Sequence, residues 1–209
     1  ATDGLIAERE QGITIDVANI YFSTKTRKFI IADSPGHIEY TRNMVTGASN
    51  SNLSIILVDA RKGLLEQSHR HFYISQLLEL DNVIFCVNKM DLVAYSEDQF
   101  LSIAIEIKAM VASFNPNIEF SIVPISSLKG DNVVIASTKM DWYKGKTLNA
   151  LLHESKDNRV KDVPFRYDVQ QVYHVQNEKF VDYRGYAGRV ISGIVNVGDK
   201  IVSIPSNKL

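Results

Sequence analysis

The sequence predicts an α/β domain built on a doubly wound sheet, followed by part of a small antiparallel β-barrel. Three observations predict this. Continuous apolar runs are typical of strands that are covered on both faces of a parallel sheet. Helical patterns lie between these runs. Beyond residue 163 the helical period ends, and β-rich segments interrupted by glycines follow.

The first domain is assigned to residues 1–157. Strands are predicted at 13–24, 28–33, 53–59, 83–88 and 119–125. Ser96 and Gln99 stand three residues apart before the clearest helix, which predicts a capping box. The apolar face of that helix follows spacings of three, four and seven and comprises Phe100, Ile103, Ala104, Ile107, Met110, Val111 and Phe114.

The second domain is assigned to residues 163–209, after a polar stretch that ends near residue 163. Segments 165–175, 183–194 and 200–204 are predicted strands, typical of the start of a small barrel. The chain opens without a methionine and runs almost at once into a motif. We therefore interpret it as an internal piece of a longer protein.

Composition argues against several classes of protein. The formal net charge of the 209 residues is -1, so no global basic field points to nucleic acid or a membrane surface. No apolar stretch approaches the roughly 20 residues that span a bilayer. Cys86 is the single cysteine, which excludes an intramolecular disulfide, and its apolar surroundings predict a buried thiol. A cytoplasmic protein is expected.

A D-x-x-G motif follows a predicted strand and comprises Asp33, Ser34, Pro35, Gly36 and His37. An aspartate at a strand's carboxyl end can hold Mg²⁺, usually through water. The glycine lets the backbone offer its N–H to a terminal phosphate. Upstream, the Thr14 hydroxyl can join the magnesium shell when a third phosphate is present. The alternatives are an ordinary turn and a β-prone threonine in a strand.

A second motif follows the next buried strand and comprises Asn88, Lys89, Met90 and Asp91. A carboxylate here accepts hydrogen bonds from N1–H and the 2-amino group of guanine, whereas adenine offers neither donor on that edge. The lysine stem can lie along the base, and the asparagine can tie the loop together. Alone, the motif is also compatible with a simple turn.

A third polar loop follows the last predicted strand of the first domain. Ser126, Ser127 and Leu128 lie in it, and ligands of such sheets bind outside the carboxyl ends of the strands. Its backbone N–H groups can bind the guanine oxygen. Each motif is weak by itself, but chance explains their order poorly, so we predict a GTP site at the strand ends.

Together these motifs resemble the translation-factor class of GTPases, whose switches are similar to segments 8–18 and 31–49. Segments 58–63, 127–134, 142–145 and 183–188 resemble more closely the family of large, GTPase subunits of bacterial sulfate adenylyltransferase. The resemblance implies a P-loop NTPase-type fold. It also implies GTP hydrolysis that drives formation of adenosine 5′-phosphosulfate from ATP and sulfate on a separate small catalytic subunit.

The resemblance also implies residue roles. His37 would orient the attacking water, and Thr14 and Asp33 would serve Mg²⁺. The family's G-x-x-x-x-G-K-[ST] loop is not among these residues, which predicts weak nucleotide binding by this segment alone. Two alternatives remain: an elongation factor of the Tu type that delivers aminoacyl-tRNA, and a non-hydrolysing GTP-binding module.

Other candidates have simpler interpretations. His69 and His71 stand two residues apart and do not face each other on a helix, so core or solvent-facing roles are favoured over a metal pair. Trp142 and Tyr143 favour aromatic packing over a docking platform for the small subunit.

Overall fold

The computed structural model describes residues 14, 16–36, 38–49, 51–80, 82–114, 118–155, 163–175 and 183–204. The chain divides into two compact units, residues 1–156 and 157–209. The first unit carries the α/β fold, and the second carries an antiparallel pair of strands.

The first unit opens with an antiparallel hairpin of β1 (Ala18–Ser23) and β2 (Lys28–Asp33). β1 begins five residues later than the predicted strand at 13–24, so Thr14 precedes the strand. The two strands form a two-stranded sheet of their own. A short 3-10 helix (Ile38–Tyr40) and α1 (Thr41–Ala48) follow the hairpin.

A three-stranded parallel sheet forms the centre of the first unit. Its strands are β3 (Leu53–Asp59), β4 (Asn82–Asn88) and β5 (Glu119–Pro124), in the order β3-β4-β5. The register pairs Asp59 with Asn88 and Val87 with Pro124. The carboxyl ends of the three strands therefore meet at one edge, and the predictions at 53–59, 83–88 and 119–125 are confirmed to within one residue.

Helices cover this sheet on both faces. They are α2 (Glu66–Leu77), α3 (Glu97–Phe114) and α4 (Leu148–Glu154). Successive residues of β4 belong to opposite clusters: Phe85 packs with residues of α2 and α3, whereas Ile84 and Cys86 pack with residues of α4. This alternation confirms the predicted doubly wound architecture. Cys86 is fully buried, which confirms the predicted buried thiol, and this burial raises its pKa to about 12.

The predicted face of α3 is confirmed except at its end, because six of its seven residues are buried and Phe114 is 43% exposed. Of the two bonds of the capping box predicted from Ser96 and Gln99, one is present. The Ser96 hydroxyl accepts from the N–H of Gln99 at 3.3 Å, but the Gln99 side chain donates to the carbonyl of Ala60 at 2.9 Å instead of returning to Ser96. The Gln99 side chain thus makes a tertiary bond instead of the local one that a capping box requires, and it links α3 to the end of β3.

In the described part of the second unit, β6 (Arg166–Val175) and β7 (Tyr183–Ser192) pair antiparallel. A Cβ at Gly188 would lie 1.7 Å from the carbonyl oxygen of Asp168, beside a register shift, so this close approach requires glycine. Residues 200–204, predicted as a strand, form none. Within this segment only Ser203 takes part in a β-bridge, which is too short a pairing to count as a strand.

Among the residues that the structure describes, no helix has both the length and the apolar composition that crossing a bilayer requires.

Candidate functional site

The Asn88 side chain ties together two of the predicted loops. Its Oδ1 accepts from the N–H of Lys89 at 2.7 Å and from the N–H of Ser127 at 3.0 Å. Its Nδ2 donates to the Ser127 hydroxyl at 3.0 Å. Because Asn88 ends β4 and Ser127 lies just beyond β5, one amide group fixes the spacing between the loops. The tie predicted for the asparagine is confirmed.

A second bond joins the same loops deeper in the fold. The Ser126 hydroxyl donates to Asp91 Oδ1 at 2.6 Å. Ser126 itself is fully buried, and the N–H of Met90 donates to the carbonyl of Ile125 at 3.2 Å. The Asp91 carboxylate is thus oriented by a buried hydroxyl before any ligand arrives, and it keeps further lone pairs as acceptors.

The loop after β5 is held from beneath by Asn132, which is only 2% exposed. Its Nδ2 donates to the carbonyl of Pro124 at 3.0 Å, and its Oδ1 accepts from the N–H of Ser137 at 2.7 Å. Gly130 takes a φ of 78°, which glycine adopts without steric cost. Leu128, at the loop tip, is 82% exposed and is available to pack against a ligand.

Lys89 adopts a left-handed backbone, with φ 66° and ψ 33°. Its ammonium lies 2.9 Å from Asp59 Oδ2 across the end of β3. Arg61 binds the same carboxylate, with its NH2 2.7 Å from Oδ2 and its Nε 3.0 Å from Oδ1. These Arg61 bonds lower the pKa of Asp59 well below its usual range; burial opposes this, and Lys89 adds to the lowering.

The D-x-x-G loop lies at the end of β2. Asp33 and Ser34 are half-buried, Pro35 is buried and Gly36 is exposed. Ser34 packs closely against α1, because a Cβ at Gly47 would lie 2.5 Å from its hydroxyl. His37, predicted to orient water, lies outside the described residues.

His71 of α2 contacts the same loop. A Cβ built at Gly36 would lie 3.6 Å from the His71 ring. Desolvation lowers the pKa of His71 and Arg70 adds to this, whereas a hydrogen bond with the Gly36 backbone raises it. Within the described ranges, no group of three His, Cys, Asp or Glu residues is placed to bind a metal ion, so neither His69 nor His71 belongs to such a group. His71 therefore links α2 to the D-x-x-G glycine.

Asp33 and Thr14 suit Mg²⁺ rather than a metal held by protein alone. Both are half-buried oxygen donors, one at the end of β2 and the other upstream of β1. Mg²⁺ that binds together with substrate phosphates takes only one or two protein carboxylates and prefers hard oxygen ligands. The donor set fits that ion.

Sequence reasoning missed the roles of Asp59, His71 and Asn132. Asp59 and Asn132 lie in segments 58–63 and 127–134, which carry the family resemblance, and Asp59 also ends an apolar run. Neither signal indicates the side-chain contacts that the structure shows for these two residues. The expectation for Trp142 and Tyr143 is confirmed: both pack on the core, with the Trp142 and Phe100 ring centroids 5.3 Å apart.

Comparison with known proteins agrees with this geometry. Residues 1–200 match the family described as "Elongation factor Tu GTP binding domain". Sulfate adenylyltransferase subunit 1 of Photobacterium profundum is 52% identical over 210 residues, which cover 99% of this chain and 43% of that protein. The same subunit of Vibrio cholerae is 54% identical over 207 residues, with the same coverage. The chain thus spans less than half the length of these curated relatives.

Two solved structures share the fold. A bacterial selenocysteine-specific elongation factor, EF-Sec, superposes with a TM-score of 0.63 at 23% identity, over 99% of this chain and 33% of that one. Translation elongation factor SelB from Methanococcus maripaludis, in complex with the GTP analogue GppNHp, has a TM-score of 0.58 at 23% identity, over 93% of this chain and 40% of that one.

Proposed function

Because this chain belongs to the family of the elongation factor Tu GTP binding domain, we propose that it is the GTPase part of a sulfate adenylyltransferase large subunit. It binds and hydrolyses GTP, and hydrolysis drives formation of adenosine 5′-phosphosulfate from ATP and sulfate. The sulfate-specific part of this proposal is supported by relatives at 52% and 54% identity that carry the name sulfate adenylyltransferase subunit 1.

The observation that carries the GTP assignment is the pair of loops joined by Asn88 and Asp91. We call Asn88, Lys89, Asp91 and residues 126–128 the base half of the site. Its carboxylate is held by Ser126 at 2.6 Å, so it accepts from guanine without reorganising. Adenine would leave this carboxylate without its donors, and such a mismatch is costly. Met90 is fully buried and anchors the turn from below.

Residues 33–37 and Thr14 form the phosphate half of the site. Gly36 offers a backbone N–H to the terminal phosphate, while Ser34 and Pro35 shape the loop. Asp33 and Thr14 would hold Mg²⁺, which when bound neutralises charge on the phosphate oxygens. His37 orients the attacking water in this assignment, since phosphoryl transfer depends mainly on positioning and charge stabilisation.

The partner of this chain is the small catalytic subunit, on which adenylyl transfer takes place. The word "subunit" in the relatives' names supports a multi-chain enzyme. GTP and GDP would populate different conformations of the phosphate half, and the small subunit would sense that difference.

The proposal is tested in a full-length chimaera, in which residues 1–209 replace the matching segment of the Vibrio cholerae relative. The chimaera is co-purified with the small subunit of that organism, and pyrophosphate release from ATP and sulfate is followed. We expect GTP to raise the rate and the non-hydrolysable analogue GppNHp to fail to sustain it. The parent Vibrio subunit is the matched control.

A rate of pyrophosphate release that does not change with GTP would contradict the proposed coupling of GTP hydrolysis to adenosine 5′-phosphosulfate formation. Retention of charged tRNA by the chimaera in a filter-binding assay, with a strong salt dependence, would instead favour a translation factor. GTP binding without hydrolysis, unchanged by His37→Ala, would indicate a non-hydrolysing module.

A further inference from the structure

Asp59 lies outside both halves of the site, yet it contacts the base half. It ends β3, directly opposite Asn88 in the parallel register. Its side chain is 17% exposed and receives two cations, Lys89 at 2.9 Å and Arg61 at 2.7 Å. A carboxylate that pairs with two cations at the edge of a ligand site is a candidate functional residue.

The backbone of Lys89 adds an independent observation. A non-glycine residue stays in the left-handed region where its surroundings over-determine that conformation. At Lys89 the N–H donates to Asn88 Oδ1 at 2.7 Å, and the ammonium pairs with Asp59 at 2.9 Å. The side chain is therefore fixed at both ends, and its methylene stem runs from the end of β4 to the end of β3.

Asp59 is itself held rigidly. The Arg61 guanidinium binds both carboxylate oxygens, and the N–H of Arg61 donates to Oδ1 at 3.0 Å. A bidentate arginine fixes the plane of a carboxylate as well as its position. The acceptor that meets Lys89 is thus preorganised by a residue that does not itself belong to the base half.

We propose that Asp59 is a positioning residue for guanine-nucleotide binding: it holds the Lys89 ammonium and thereby keeps the lysine stem where the guanine base packs against it. This inference rests on the proposed function, because it takes the base half as a guanine site. It assigns Asp59 to recognition of the base, which GTP and GDP share, and not to the hydrolytic step.

A double-mutant cycle in the full-length chimaera tests the proposal. The variants are Asp59→Asn, Lys89→Met and the double variant, and the probe is fluorescent N-methylanthraniloyl-GDP. We expect each single substitution to weaken GDP affinity by about threefold to fivefold, the range for a partly exposed ion pair. The double variant should be little weaker than either single one, because both remove the same interaction.

Arg61→Gln is the matched control, because it removes the other cation on Asp59 and leaves Lys89 in place. Because the Lys89–Asp59 pair survives in this variant, the looser hold on the Asp59 carboxylate should weaken GDP affinity by no more than about twofold, clearly less than Asp59→Asn does. The affinities for GTP and GDP should fall by equal factors in Asp59→Asn, while the kcat for GTP hydrolysis stays unchanged. A purely structural role of Asp59 would not produce this split, and thermal unfolding curves check that every variant is folded.

Three outcomes would overturn the inference: single effects that multiply in the double variant, an Arg61→Gln effect equal to that of Asp59→Asn, or unaltered GDP affinity in a folded Asp59→Asn. Failure of the unsubstituted chimaera to bind GDP would be a separate result. It would overturn the proposed function first, and the inference together with it.

Discussion

The base half of the site follows strands of a covered parallel sheet, whereas the phosphate half follows an open antiparallel hairpin. β4 is buried at all five positions from 83 to 87. In β2, by contrast, Ile30 is 66% exposed and Ile31 is 39% exposed. Within the described residues, the two halves of the proposed site therefore rest on strands of very different burial, and the predictions below test whether the two supports also differ in stability and in ligand binding.

The largest expected effect separates the two supporting sheets. Phe85→Ala should lower the free energy of unfolding by about 3–5 kcal/mol, because the residue is fully buried and a cavity would remain. Ile30→Thr should change it by no more than about 0.5 kcal/mol, because an exposed side chain loses little burial. Urea unfolding of the 209-residue chain, followed through the fluorescence of its single tryptophan, Trp142, measures both. Equal losses in the free energy of unfolding would contradict the difference between the two sheets.

The next prediction separates the two halves by ligand binding. Asp91→Asn should weaken GDP affinity by about 100-fold in the chimaera, because a donor replaces the acceptor that guanine requires. Asp33→Asn, measured without Mg²⁺, should change GDP affinity by less than about twofold, because its role lies with the metal and the phosphates. The exposed Asp98→Asn is the charge-matched control. GDP affinity that survives Asp91→Asn would contradict the base-recognition argument.

A third prediction concerns the attachment of the hairpin to the rest of the first unit. The Arg27 guanidinium donates to three carbonyls at the end of α4: Leu152 and His153 at 3.1 Å each, and Ser155 at 2.7 Å. Arg27→Ala should cost about 1 kcal/mol of stability, because it leaves the last carbonyls of a helix without a cation. Urea unfolding measures the loss, and the exposed neighbour Lys28→Ala should cost clearly less.

A smaller effect is expected from pH. Desolvation lowers the pKa of His71 in the folded state, so the unfolded chain binds more protons around pH 6. The stability that neutral His71 contributes is therefore complete above the unfolded pKa of about 6.5 and is lost as the pH falls below it. Thermal unfolding between pH 5 and pH 7, at about half-unit steps, should be less pH-dependent in His71→Gln. An unchanged slope in His71→Gln would count against the argument.

The sequence predicted the covered sheet better than its surroundings. β3, β4 and β5 were found within one residue, because strands buried on both faces leave uninterrupted apolar runs. The face of α3 was found because its period is local. Residues 200–204 were misassigned, since strand formation depends on a partner that the local composition does not reveal.

For the site, local motifs identified which loops matter but not what holds them. The spacing of Asn88 and Asp91 was visible in the chain, but their bonds to Ser127 and Ser126 join two loops that follow different strands, and the motifs did not indicate them. The contacts of Asp59 with Lys89 and of His71 with Gly36 join residues about 30 or more positions apart. Pairings of this kind depend on strand register and helix packing, which a single sequence does not encode locally.

The claim that the base half of the site, with Asn88 and Asp91, recognises guanine is tested most directly by the ratio of the dissociation constants for ADP and GDP in the unsubstituted chimaera. A carboxylate built to accept from guanine should favour GDP by a factor on the order of 1,000 or more. Comparable affinities for the two nucleotides would contradict the account, because the loops would then be binding phosphates without recognising the base.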